Sequence, residues 1–276
     1  MSPERIDRRT VVRMLLASGL AGSVHGLAGC ATRRGVESDW RQAAEIRAAI
    51  RAPVIPRRDF DIRDYGGRAD ADSSTAISDA IAACRAAGGG RIVIDGGRFL
   101  TGPVHLGSRM ELHIAEGATL AFIPEPDRYL PPVLTHWEGL EFMGYSPLIY
   151  ARGQTDVAIT GKGTLDGSAN ETTWWHWKGG RWGIGKTDED QKFARRKLME
   201  DAENHVPVHE RIYADGAYLR PPFIQPFDCE RILIEDVTIR SAPFWLINPV
   251  LCRDVIVRGV TCESYGPNSD GCDPES

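Results

Sequence analysis

The chain has no apolar run long enough to cross a bilayer, no surplus of positive charge, and no cysteine pair at metal or redox spacing. Each absence removes a class of protein. Residues 14–29 come nearest to a membrane span, but they are few and rich in Gly and Ala, whereas a spanning helix takes about 20 apolar residues. Lys and Arg number 33 against 38 Asp and Glu, so the basic face that nucleic acid demands is missing. The spacings of Cys30, Cys84, Cys229, Cys252, Cys262 and Cys272 fit neither a zinc ribbon nor a CxxC redox site. Gly88-Gly89-Gly90 follows a helix instead of opening one, which excludes a phosphate loop. Pro207 separates His205 from His209 and breaks the helical face a zinc pair would need. No metal, cofactor or nucleic-acid partner is expected, and the oligomeric state is left open.

Residues 1–29 instead carry export chemistry. Arg8-Arg9 precede a short Ala/Gly/Leu-rich stretch, as in twin-arginine signals, though the flanking residues depart from that pattern. Leu27-Ala28-Gly29-Cys30 matches a lipoprotein cleavage site that would leave Cys30 lipidated; the alternative is an ordinary small-residue cleavage site. The expected location is the periplasm, or the outer membrane and cell surface as a lipoprotein. Without residues 1–29 the chain keeps 29 basic and 36 acidic side chains, net −7.

Residues 30–59 read as a tether followed by a short amphipathic helix over residues 38–51, closed by Pro53 and Pro56. A second helix is expected over residues 72–87, capped by Ser73 or Ser74 and stopped by the glycine run. Beyond it, short β-branched runs recur between Gly, Asp, Asn and Pro. Residues 229–239 superpose on residues 252–262 at an offset of 23: Ile232 on Val255, Ile234 on Val257, Val237 on Val260, Ile239 on Cys262. Weaker copies begin at Met110 and Asp156. The Leu and Asn ladder of leucine-rich repeats is absent, so the period specifies coils of a parallel β-helix, each about 4.8 Å above the last. Cys229 and Cys252 would then stack, either as a disulfide or as buried small residues. One segment breaks the rhythm. Residues 168–219 hold Trp174, Trp175, Trp177 and Trp182 and a charged, helical stretch, expected as an insertion whose indoles either stack on sugar or pack.

Five stretches resemble a known family. Asp61-Ile62-Arg63-Asp64-Tyr65-Gly66-Gly67 with Gly96-Gly97-Arg98-Phe99-Leu100-Thr101-Gly102-Pro103-Val104 is similar to the opening coil of pectin-active β-helices. Gly161-Lys162-Gly163-Thr164-Leu165-Asp166-Gly167, Arg220-Pro221-Pro222 and the closing Gly266-Pro267-Asn268-Ser269-Asp270-Gly271-Cys272-Asp273-Pro274 resemble glycoside hydrolase family 28, the polygalacturonases, with Ser269 where that family carries threonine.

The resemblance implies an all-β, right-handed parallel β-helix of the pectin lyase type, spanning residues 60–276. It would have short N-terminal helices and the one insertion, belong to an exported bacterial member, and lack its C-terminal coils. It further implies inverting hydrolysis of α-galacturonide linkages in pectic polysaccharide or oligogalacturonide. Asp270 would activate water, while Asn268, Asp273 and the cation Arg220 would bind substrate. On a strand, Asn268 and Asp270 would share a face; the same four residues also suit a turn. The acid partner belongs to the following coil in that family, so this chain is expected to be inactive or impaired. A glycan-binding β-helix without turnover and a calcium-dependent pectate-lyase-like enzyme are the alternatives.

Overall fold

The computed structural model describes residues 30–182 and 190–276, with side chains from Asp39 onward. The export segment 1–29 lies outside the described residues, as does the side chain of Cys30. The chain divides into Met1–Ala49 and Ile50–Ser276. In the first unit, one helix runs Cys30–Ala49, so the expected tether is helical. Nothing in residues 31–37 stops a helix, because they contain no proline and are mostly Ala, Arg, Val and Glu.

In the second unit, three parallel sheets wind into a parallel β-helix. The first takes Asp59–Asp61, Gly90–Ile94, Met110–Ile114, Thr155–Thr160, Glu230–Glu235 and Arg253–Arg258 in that spatial order. The second takes Arg98–Thr101, Thr119–Phe122, Thr164–Asp166, Thr238–Arg240 and Thr261–Glu263. The third begins with Val104–His105, Ile149–Arg152 and Ile224–Phe227 and continues through the bridges Ile224 to Ile247 to Cys272 and Phe227 to Val250 to Glu275.

Alternation along each strand sends every second side chain inward. Stacking then turns these positions into ladders: Ile92, Leu112, Ile159, Ile234 and Val257 in the first sheet, Phe99, Leu120, Leu165, Ile239 and Cys262 in the second. The 23-residue offset is the register of the last two coils, where Ile232 meets Val255 and Ile239 meets Cys262. Cys229 and Cys252 sit one rung apart as free thiols, each hydrogen-bonded to a backbone carbonyl.

Helix Ser74–Ala86 closes the lower end, burying Ile77, Ala80, Ile81 and Cys84 against the first coils. Asp72 and not Ser73 caps it, accepting from the Ser74 N–H and hydroxyl. At the upper end Val257, Cys262 and Cys272 are exposed. Residues 50–58 run extended up the outer face of the first sheet: Arg58 meets Arg91, Val54 N–H donates to Asp156, and Arg51 pairs with Glu230 and Asp254.

Two excursions leave the corner between the second and third sheets, where the sequence indicated one. The unforeseen one, residues 123–148, carries the antiparallel hairpin Val133–Trp137 and Leu140–Gly144. Glu138 and Gly139 turn it with φ of 47° and 89°, the doubly left-handed pattern of a tight hairpin. The second excursion holds helix Lys192–Glu203 and strand Ile212–Tyr213, which pairs with Met143 and Gly144 of the hairpin. Trp137, Phe142, Leu198, Tyr213, Leu219 and Phe244 form a separate small core that welds the two excursions into one wall beside the third sheet.

Candidate active site

The third sheet and this wall bring together most of the polar side chains that the chain buries. Gln225, Asn248 and Glu275 sit on successive coils, and Asn248 and Gln225 are wholly buried. A buried amide is costly unless each polar atom is matched, and here they are. The Thr135 hydroxyl donates to Gln225 Oε1 at 2.6 Å, Gln225 Nε2 donates to Asn248 Oδ1 at 2.7 Å, and Asn248 Nδ2 donates to the Asp273 carbonyl and to Glu275 Oε2. Glu275 also accepts from His136 Nδ1 at 2.6 Å and from Gly139 N–H at 3.0 Å. Burial opposes ionisation of Glu275, but the bonds from His136 and Asn248 outweigh it and hold its carboxyl below the usual range. An ionised Glu275 only accepts, so His136 carries its proton on Nδ1. The ladder fixes the hairpin to the third sheet.

Asp273 lies between these groups. Its N–H donates to the Ile247 carbonyl, while its buried Oδ2 has no hydrogen-bond partner. Burial, followed by the neighbouring charges of Asp270 and Glu275, pushes its carboxyl up to about 6. Asp270 is exposed: its carbonyl accepts from Leu246 N–H, and its carboxylate makes no hydrogen bond or ion pair among the described residues. Asp270 therefore stands close enough to Asp273 for its charge to help raise that carboxyl, the kind of coupled pair that proton-transfer sites use.

Two sequence expectations change. Asn268 lies in a turn with φ of 56°, so strand alternation does not relate it to Asp270. The sheet resumes at Cys272, and Cys272 and Glu275 are rungs of the third sheet. Arg220 is wholly buried. Its guanidinium donates to the carbonyls of Pro243 and Pro267, to Asn268 Oδ1 at 2.9 Å and twice to Gln191 Oε1. All five N–H groups are committed, leaving none for a sugar carboxylate. Burial lowers its pKa to about 9; it remains cationic at neutral pH, and its role here is to hold the turn that carries Asn268.

Sequence reasoning missed His136, Gln225 and Asn248. A hairpin signal in Trp137-Glu138-Gly139-Leu140 was available for the first, but the others read as polar accidents inside apolar runs. Of the four tryptophans in the insertion, Trp174 and Trp177 pack with Tyr129, Tyr145 and Tyr218, and Trp175 donates from Nε1 to the Ala242 carbonyl. Trp182 lines a cavity beside Asn268. No group of three or more metal-ligating side chains occurs among the described residues.

No family model matches the chain. A "Probable polygalacturonase" of Vitis vinifera is 26% identical over 225 residues, covering 77% of this chain and 39% of that protein. A hyperthermoactive exopolygalacturonase from Thermotoga maritima is 45% identical with a TM-score of 0.83, covering 85% of this chain and 53% of the enzyme. A family 28 exopolygalacturonase of Yersinia enterocolitica shares the fold at 22% identity, TM-score 0.57, over 79% of this chain and 41% of its own. The chain thus spans about half or less of each relative. The opening coil, the stacked register and the Asn-Ser-Asp-Gly turn are all in place, and over the length it shares with them the chain is similar to polygalacturonases.

Proposed function

We propose that the chain provides the water-activating part of a polygalacturonate hydrolase, with Asp270 as the carboxylate that activates water. The observation that carries this reading is the unpaired, exposed Asp270 beside the raised carboxyl of Asp273, on a coil whose wall is locked by Glu275 and His136. Hydrolysis with inversion needs a base on one side of the glycosidic bond and an acid on the other, roughly 6.5–9.5 Å apart. Asp270 is free to take the proton of a water, and Asp273, protonated in mild acid, donates a hydrogen bond to a sugar hydroxyl. The opposing acid is not assigned among the described residues, so these residues alone turn polymer over slowly. Export and attachment of a lipid to Cys30 complete the reading, supported by Leu27-Ala28-Gly29-Cys30.

Polygalacturonate tests it. New reducing ends should form, with the product first appearing as the β-anomer in proton NMR; an α-anomer would replace inversion with retention. Asp270→Asn should lower the rate about 10²–10⁴-fold, and an unchanged rate removes Asp270 from the chemistry. Binding without any turnover would return the protein to the glycan-binding class.

A further inference from the structure

A cavity of about 570 Å³ opens beside Asn268, between the tryptophan-bearing excursion and the turn. That is within the roughly 300–1,000 Å³ of ligand clefts. Its polar and aromatic lining is Lys178, Arg181, Trp182, Lys192, Tyr265 and Asn268. Among the described residues the lining therefore holds three cations and no carboxylate; the neighbouring Asp190 pairs with Lys192 at 2.9 Å and offsets one of them. Lys178 and Arg181 form no ion pair among the described residues. The guanidinium of Arg181 lies 5.2 Å from the centre of the Trp182 ring. Tyr265 is 84% exposed.

The cavity wall is anchored to the β-helix. Trp175 is tied to the Ala242 carbonyl, and it approaches Gly266 so closely that a Cβ there would sit 2.3 Å from the indole. Arg220, itself wholly buried, takes Asn268 Oδ1 and so orients that amide, leaving its NH₂ as a donor at the cavity.

Resting on the reading of Asp270 as the water-activating carboxylate, we propose that this cavity is a subsite for a uronate sugar. The carboxylate lies between Lys178 and Arg181, the apolar ring face lies against Trp182 or Tyr265, and a hydroxyl takes the Asn268 amide donor. Aromatic faces distinguish a sugar from a bare anion, and the cations distinguish a uronate from a neutral hexose. The Trp-rich excursion thereby reads the charge of a sugar beside the one being cleaved.

Calorimetric titration of the full chain with trigalacturonate and with its fully methyl-esterified form tests this. The parent should prefer the acid form. The double variant Lys178→Ala, Arg181→Ala should lose roughly tenfold for the acid form, as two modest charge contacts imply, and change less than twofold for the ester. Trp182→Ala should weaken both forms alike. The preference of the parent should shrink with added salt, and its melting temperature should match that of the double variant, since neither side chain is in the core. Equal trigalacturonate affinities in parent and double variant would overturn the subsite while leaving the hydrolase reading in place. If the parent binds neither form, both are overturned.

Discussion

Replacing Arg220 by Met keeps most of the volume and removes the fork that joins four acceptors. Two carbonyls and Gln191 Oε1 would lose their donors in a buried region, and Asn268 Oδ1 would lose its donor beside the cavity. The variant also recovers the desolvation that pulls the Arg220 pKa down to about 9, which offsets part of the loss. Breaking a buried, hydrogen-bonded charge from one side typically costs about 3–5 kcal/mol. At about 2–4 °C per kcal/mol for a domain of this size, the melting temperature should fall by about 6–20 °C. Arg220→Lys retains charge with three donors and should fall between the two. Urea denaturation of parent and both variants, with trigalacturonate affinity measured on the folded fraction, checks the reasoning. A Met variant within about 0.5 kcal/mol of the parent would show that the network contributes nothing to stability. Normal stability with lost affinity would restore Arg220 as a direct ligand of the sugar.

Two further substitutions test the site and the stack. Asp273 is held up to about 6 against an ordinary 3.8, so its contribution is present below about pH 4 and is lost as pH rises through about 6; with one oxygen still near solvent the change should be about 1 kcal/mol. Asp273→Asn should flatten that part of the stability profile, and an unchanged slope between pH 4 and 7 would place the titration elsewhere. Gly161 has φ of 105°, and a Cβ there would meet the Ile114 carbonyl oxygen at 2.0 Å, so Gly161→Ala should cost about 3 kcal/mol by opening the rung between two coils. Equal urea midpoints would contradict that close approach.

What the sequence disclosed depended on whether a coil was interrupted. The last two coils follow one another directly, so their 23-residue offset survives as a visible repeat and predicts the observed partners Ile232 with Val255 and Ile234 with Val257. Met110 and Val157 are equally good partners, as are Val157 and Ile232, yet excursions push them 47 and 75 residues apart. No fixed period finds them. The hairpin in the first excursion went unseen because Val133-Leu134-Thr135 and Phe142-Met143 have the same composition as a coil strand. Only the left-handed pair Glu138-Gly139 distinguishes an antiparallel return from a parallel advance.

The site shows the same division more sharply. Asn268 and Asp270 were singled out through the resemblance of their surroundings to polygalacturonases, but their geometry was not legible, since Asn-Ser-Asp-Gly serves a turn as well as a strand. Arg220 was legible as a cation and misjudged as a ligand. Whether a guanidinium has a free N–H depends on the carbonyls of Pro243 and Pro267, 23 and 47 residues away, and no local pattern carries that information. Gln225 and Asn248 are the extreme case: each is a polar residue in an apolar run, a fault by local rules, and becomes sound only when the fold supplies Thr135 of the hairpin on one side and Glu275 of the next coil on the other. A polar residue that violates its strand's pattern in a stacked coil is therefore a pointer to its neighbour one rung away. Here side-chain hydrogen bonds lead from Gln225 to Asn248, its neighbour one rung up, and from Asn248 to Glu275 of the next coil, the coil that also carries the carboxylate assigned to catalysis.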